Sequence, residues 1–216
     1  VSADQGATAS VDGNQITITP ELDFNGDIQV GVIATDLAGE TGETTFTLAV
    51  LPVNDAPIID AIADQEINED DILSLDLSAS DVDGDDLSYS ASVNDFGFAS
   101  IDGSTLIVAP DLDYSGDIEV TVVVSDGVLT DSDSFILDVL NLNDAPIVNQ
   151  IADETIFEDD TLTLTVSGSD VDDLDVITFS ATADQGATVS VDGNQITITP
   201  ELDFNGDIQA SVIATD

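Results

Sequence analysis

The chain has 216 residues and a formal net charge of −46, with 46 Asp and Glu and no Lys, Arg or His. Lacking any cationic side chain, it cannot grip phosphate, which excludes nucleic acid as a partner and disfavours an anionic membrane surface. Two carboxylates about 4 Å apart repel by roughly 4 kcal/mol at an effective dielectric of about 20, so a compact state needs counter-charge from mobile salt or bound divalent cations.

Such a charge with few aromatics ordinarily means disorder. Here 42% of the residues are apolar and they alternate with polar ones, which favours a folded chain. A saline medium also tolerates such a surface, because screening relieves self-repulsion. Cysteine is absent, so no disulfide can brace the fold and metal is the remaining staple. No run of 18 apolar residues offers a membrane span, and no basic region precedes an apolar one as a signal peptide requires.

The first segment, 1–53, announces a repeat. Ala3 to Asp36 returns as Ala183 to Asp216, changed only where Ala9 becomes Val189, Val30 becomes Ala210 and Gly31 becomes Ser211. Asp12-Gly13 recurs as Asp102-Gly103 and Asp192-Gly193, and Pro20 as Pro110 and Pro200. The linker Asn54-Asp55-Ala56-Pro57 recurs as Asn143-Asp144-Ala145-Pro146. The period of about 90 residues is that of a small domain. The outer copies nearly coincide and the middle one differs, so the pattern implies an array alternating two repeat types, whose unlike neighbours are less able to swap strands.

Residues 54–142 hold one complete repeat. Its alternating, β-rich runs predict strands over 58–67, 72–78, 87–92, 98–101, 105–108, 118–124 and 135–140, and no segment keeps a helical period. Seven short strands separated by Asp, Gly, Asn and Ser turns predict an all-β fold of tandem seven-stranded Greek-key, immunoglobulin-like β-sandwiches. The Asp-Gly pairs at 12, 102 and 192 read as hairpin turns without metal. Residues 1–53 hold the C-terminal half of a repeat, and 143–216 the N-terminal three-quarters of another. Such ends belong to an excerpt of a longer polymer, or complete each other between molecules by strand donation.

Acidic residues recur at fixed places: Asn54-Asp55 and Asn143-Asp144 in the linkers, Asp81-Val82-Asp83 and Asp170-Val171-Asp172 after the second strand, Glu69-Asp70 and Glu158-Asp159 before it, and Asp36, Asp126 and Asp216 at the end of a late strand. Calcium takes six to eight oxygen ligands of this kind. Neither the EF-hand nor the glycine-rich nonapeptide fits. Asp81 to Asp86 has its Gly at the fourth place, and Asp170 to Asp175 has none.

The NDAP linkers, the turn DVDGDDLSYS and the late segment LDYSGDIEVTVVVSDG together resemble the cadherin repeat, particularly its bacterial tandem form, and the resemblance covers the whole chain. It implies calcium between consecutive repeats. Carried over residue by residue, it assigns Asp23, Asn54, Asp55, Asp81, Asp83 and Asp126 to a first junction. To a second it assigns Glu69, Asp113, Asn143, Asp144, Asp170, Asp172 and Asp216. The linker lacks the second amide of the family pattern, and the LDF or LDY segment lacks its Glu, so a lighter calcium load than in a full cadherin linker is expected.

Catalysis has little to work with. Without His, Cys or Lys only carboxylate-pair chemistry such as glycoside hydrolysis remains. Trp is absent and the two Tyr are Tyr89 and Tyr114. The expected protein is therefore not an enzyme but a calcium-stiffened extender of an extracellular, cell-surface adhesin or filament. Its partners would be neighbouring repeats of the same chain or identical chains, extracellular polysaccharide, or other cells. The alternatives are a calcium-dependent homophilic or carbohydrate-binding module and a self-assembling fibre subunit.

Overall fold

The computed structural model describes residues 1–172 and 176–216; residues 173–175 lie outside the described residues. All regular structure among the described residues is β. The first repeat contributes β1 (Ser2–Ala3), β2 (Ala7–Asp12), β3 (Gln15–Pro20), β4 (Gly26–Thr35) and β5 (Thr41–Val50). The middle repeat contributes β6 (Ile58–Ile59), β7 (Gln65–Asn68), β8 (Leu73–Asp76), β9 (Ala79–Ser80), β10 (Ser88–Val93), β11 (Gly97–Asp102), β12 (Thr105–Pro110), β13 (Gly116–Ser125) and β14 (Thr130–Leu140). The third contributes β15 (Ile147–Val148), β16 (Leu162–Thr165), β17 (Gly168–Ser169), β18 (Thr178–Ala183), β19 (Ala187–Asp192), β20 (Gln195–Pro200) and β21 (Ala210–Thr215).

In the middle repeat one sheet runs β10-β13-β14-β7 and faces β11-β12-β8 and the pair β6-β9. Alternation drives the packing. Ile118, Val120, Val122 and Val124 of β13 are all fully buried, and Val120 and Ile118 pair in register with the buried Phe135 and Leu137 of β14. Leu106 and Val108 of β12 close the core from the other sheet. Each such side chain contributes about 1.5–3 kcal/mol on burial.

Nine strand segments stand in the middle repeat where the sequence predicts seven. The predicted strand 58–67 is divided because its chain crosses between sheets: β6 pairs antiparallel with β9, while β7 pairs parallel with β14. Carboxylates replace ladder bonds at the crossing. Asp131 Oδ2 accepts the Ile59 N–H at 3.0 Å, Asp133 Oδ2 that of Ile62 at 2.7 Å, and Asp64 Oδ1 that of Ile136 at 2.8 Å. The predicted strand 72–78 likewise divides into β8 and β9, which serve different sheets.

The third repeat repeats the order with β16-β20-β19, β18-β21 and β15-β17, around Val166, Ile196 and Ile198. In the first repeat Ile28 and Val30 are buried, but Phe46 is 46% exposed where its counterpart Phe135 is 3% exposed. Residues 1–53 include no counterpart of β6 to β9, so that face is uncovered. The Asp-Gly turns are hairpins as predicted, with Gly13, Gly103 and Gly193 at φ of 61°, 64° and 59° between paired strands.

Candidate metal centres at the repeat junctions

Both junctions are built around an Asp-x-Asp turn that follows a two-residue strand. After β9, Asp81 Oδ1 accepts the N–H groups of Asp83 at 2.8 Å and Gly84 at 3.0 Å. Gly84, at φ 80°, closes the turn. These bonds fix the carboxylate and leave Asp81 Oδ2 buried without a hydrogen-bond partner. After β17 the pattern recurs: Asp170 Oδ1 accepts the Asp172 N–H at 3.1 Å, and Asp170 Oδ2 is buried with no partner among the described residues. A buried carboxylate oxygen with no donor is costly. This chain has no Lys, Arg or His to supply one.

At the first junction, single carboxylate oxygens of Asp81, Asp83 and Asp85 lie within 4.8 Å of one another. Asp83 Oδ2 accepts the Asp55 N–H at 2.8 Å, which draws the linker onto the turn. Asn54 Nδ2 donates to Asp126 Oδ2 at 2.8 Å and to the Asp55 carbonyl at 3.1 Å. The Asn54 amide, with the Leu129 and Val128 N–H groups, holds the Asp126 carboxyl below its ordinary range. Asp23 belongs to the preceding repeat, at φ 58°, and lines an open cleft with Asp55 and Asp83. Partial removal from water pushes the Asp55 carboxyl up, and repulsion from Asp23, Asp83 and Asp81 adds to it. Asp85 is raised in the same way, by desolvation and then by Asp81 and Asp83.

At the second junction, Glu69, Asp144 and Asp172 present oxygens within 4.8 Å of one another. Glu69 is 4% exposed and Asp172 is 9% exposed. Glu69 Oε1 accepts the Leu142 N–H. Asp172 Oδ2 accepts the Asp144 N–H at 2.7 Å, and its Oδ1 accepts from Asn141 Nδ2. Asn143 Nδ2 donates to Asp216 Oδ2 at 2.7 Å and to the Asp144 carbonyl at 3.1 Å, duplicating Asn54. Asp113 donates its N–H to Asp70 Oδ1 at 3.3 Å, with both residues at positive φ. Desolvation pushes the Asp144 carboxyl up, followed by Asp113, Asp172, Glu69 and Asp70.

The structure thus gathers each of the two sequence-predicted sets around its own linker. Asp126 and Asp216 sit at the margins, reached through the Asn54 and Asn143 amides. Three residues outside those sets join the clusters: Asp85, Asp70 and Asn141. Asn141 could have been found from its place two residues before Asn143, where the first linker has Pro52. Asp159 Oδ1 accepts the Asp203 N–H at 3.1 Å, repeating the Asp70 and Asp113 arrangement in the third repeat. Asp36 Oδ1 caps its own turn, accepting the Ala38 and Glu40 N–H groups at 2.9 Å.

The donor set suits a hard divalent cation. Every oxygen is carboxylate, amide or carbonyl, the matching ligands for calcium. A cation would satisfy the two orphaned oxygens and relieve the repulsion that raises Asp55 and Asp144.

Among solved structures, human protocadherin-24 EC1-2 matches with a TM-score of 0.50 at 22% identity, over 74% of this chain and 87% of that one. Protocadherin gammaB7 EC3-6 matches with a TM-score of 0.45 at 15% identity, over 99% of this chain and 66% of that one. An endo-fucoidan hydrolase of glycoside hydrolase family 107 matches at 17% identity and a TM-score of 0.34; this chain covers 38% of its length. No curated protein matches the chain. The family model described as the bacterial Ig domain matches residues 54–137 and 143–216. With two tandem matches over most of its length, on an all-β fold shared with a cadherin domain pair, the chain belongs to the bacterial Ig domain family.

Proposed function

We propose that the chain is a calcium-stiffened stretch of an extracellular stalk or adhesin, with repeats bounded at 54 and 143 and the ions held at the two junctions. The reading rests on one observation above all: Asp81 Oδ2 and Asp170 Oδ2, at equivalent places in two repeats, are both buried with no partner among the described residues, in a chain that has no cationic side chain. Asp23, Asn54, Asp55, Asp81, Asp83, Asp85 and Asp126 would supply oxygens at the first junction. Glu69, Asp113, Asn143, Asp144, Asp170, Asp172 and Asp216 would do so at the second. Bound there, calcium supplies the counter-charge that lets a linker and two repeats share one cluster.

The consequence is mechanical. An ion-free junction would be free to bend, whereas ligands drawn from both sides of a linker onto one ion fix the angle between repeats. Among the described residues no helix is long and apolar enough to cross a membrane. The repetition of one acidic pole per repeat is the pattern of a scaffold rather than of an active centre.

The test is calorimetric titration of the chain with calcium, alongside the double variant Asp81→Asn, Asp170→Asn. Extracellular calcium modules bind at about 10⁻⁴ to 10⁻³ M, and that range is expected here, with heat at both junctions and a loss of about tenfold or more in affinity in the variant. Unchanged titration curves in the variant would reject the assignment.

A further inference from the structure

The middle repeat carries an aromatic feature that its neighbours lack. In the first and third repeats the turn before the strand holds Gly6 and Gly186, both at φ 69°, and the ring of Phe24 or Phe204 lies across the glycine where a Cβ would stand. In the middle repeat the same slot holds Phe96, at φ 62°. A bulky side chain in the left-handed region is strained. Glycine serves this turn twice in the same chain, so the fold does not require phenylalanine here.

The ring has a neighbour. Phe96 stacks on Tyr114, the counterpart of Phe24 and Phe204, with centroids 4.6 Å apart and planes 8° from parallel. Tyr114 is braced in turn, its hydroxyl donating to the Asp117 carbonyl at 3.2 Å. Phe96 nevertheless remains 55% exposed. Two residues on, in β11, Phe98 is 68% exposed where the flanking repeats have Thr8 and Thr188. Strain and exposed apolar surface are thus both concentrated on one spot of one repeat type, which marks a site that meets something outside the fold.

We propose that Phe96, backed by Tyr114 and flanked by Phe98, is a stacking platform for the apolar face of an uncharged sugar residue in a polysaccharide. The parallel pair offers one flat face, which suits the C–H face of a pyranose ring. Asp111, whose N–H donates to the Phe96 carbonyl at 2.9 Å, and the exposed Asp95 next to Phe96 in sequence carry carboxylate acceptors suited to its hydroxyl groups. Charge chooses among the candidates. An anionic glycan or a second copy of this chain meets a surface of net charge −46 with no cation to receive it. A basic protein would be held by charge over the whole surface and gains little from a ring strained into one turn.

The inference does not depend on calcium at the junctions. It is tested by affinity electrophoresis of the whole chain through gels containing a soluble neutral β-glucan, a galactomannan or amylose, each with calcium and with excess chelator. Phe96→Gly and Phe98→Thr install the residues of the flanking repeats. At least one neutral polysaccharide is expected to retard the chain in both conditions, with tenfold or greater weakening in Phe96→Gly and an unchanged or higher melting temperature in that variant. Three results would each overturn the proposal: no retardation by any of the three, equal retardation of the Phe96→Gly chain, or a melting temperature that falls in Phe96→Gly, since the ring would then be structural cover for Tyr114. Retention only by polylysine, abolished by salt and indifferent to Phe96→Gly, would also overturn it in favour of non-specific charge.

Discussion

The two junctions share a plan but differ in how deeply it is buried. At the first, Asp83 and Asp85 are exposed and Pro52 stands where the second linker has Asn141. At the second, Glu69 and Asp172 are withdrawn from water, and Asn141 adds an amide to Asp172. Part of this contrast has a simple source: residues 1–53 hold no counterpart of the loop between β7 and β8 that carries Glu69 and Asp70 to the second junction, so the same linker and turn motif is more deeply covered there. Carboxylates in a lower dielectric repel more strongly when empty and attract a cation more strongly when filled. The second junction should therefore gain more from calcium and lose more without it.

Glu69→Gln is the sharpest way to break this contrast. Glutamine keeps an acceptor for the Leu142 N–H while removing a buried charge. Calcium affinity at the second junction is expected to fall about tenfold or more with the first unchanged, and in chelator the melting temperature should rise as repulsion on Asp144 is relieved. A melting temperature that drops equally with and without calcium would make Glu69 a structural acceptor only.

Acid should reproduce that relief by protonation. The carboxyls of Asp55, Asp85 and Asp144 lie above the ordinary value of 3.8 in the folded chain. Folding therefore favours their protonated forms, and this stabilisation is complete below 3.8 and lost as pH rises through the raised values. In chelator, lowering the pH from neutral to just above 3.8 is expected to raise the melting temperature. Asp126 is shifted the other way, and its stabilisation is lost only as pH falls below that range. With calcium in excess the trend should reverse, because protons displace the ion. Melting curves across this window with and without chelator check both signs.

A smaller change is expected from Asn141→Ala, which removes the amide on Asp172 and makes the second linker more like the first. A severalfold loss of affinity confined to the second junction would support the burial argument. Equal loss at both junctions would undo it.

Much of this was legible from residues alone. The repeat period and alternation imply the sandwich, because β-strands bury every second side chain, as Ile118 to Val124 do. The acidic sets were legible because the linker and turn motifs recur in register. The crossing of 59–65 between sheets was not, since it is held by Asp131 and Asp133, which lie 72 and 71 residues along the chain from the N–H groups they accept. Asp85 was not legible because its turn follows no metal-binding motif of fixed spacing, and Asp70 was not because it is the neighbouring Glu69 that the family pattern calls for. The strain at Phe96 was not legible because it lies in the backbone, in a φ of 62° at a turn where the other two copies place glycine.

Small-angle scattering of the 216-residue chain, in millimolar calcium and in excess chelator, tests calcium stiffening most directly. A narrow, extended length distribution is expected with calcium and a broader, shorter one without it. The same distribution in both conditions would contradict calcium stiffening of the junctions.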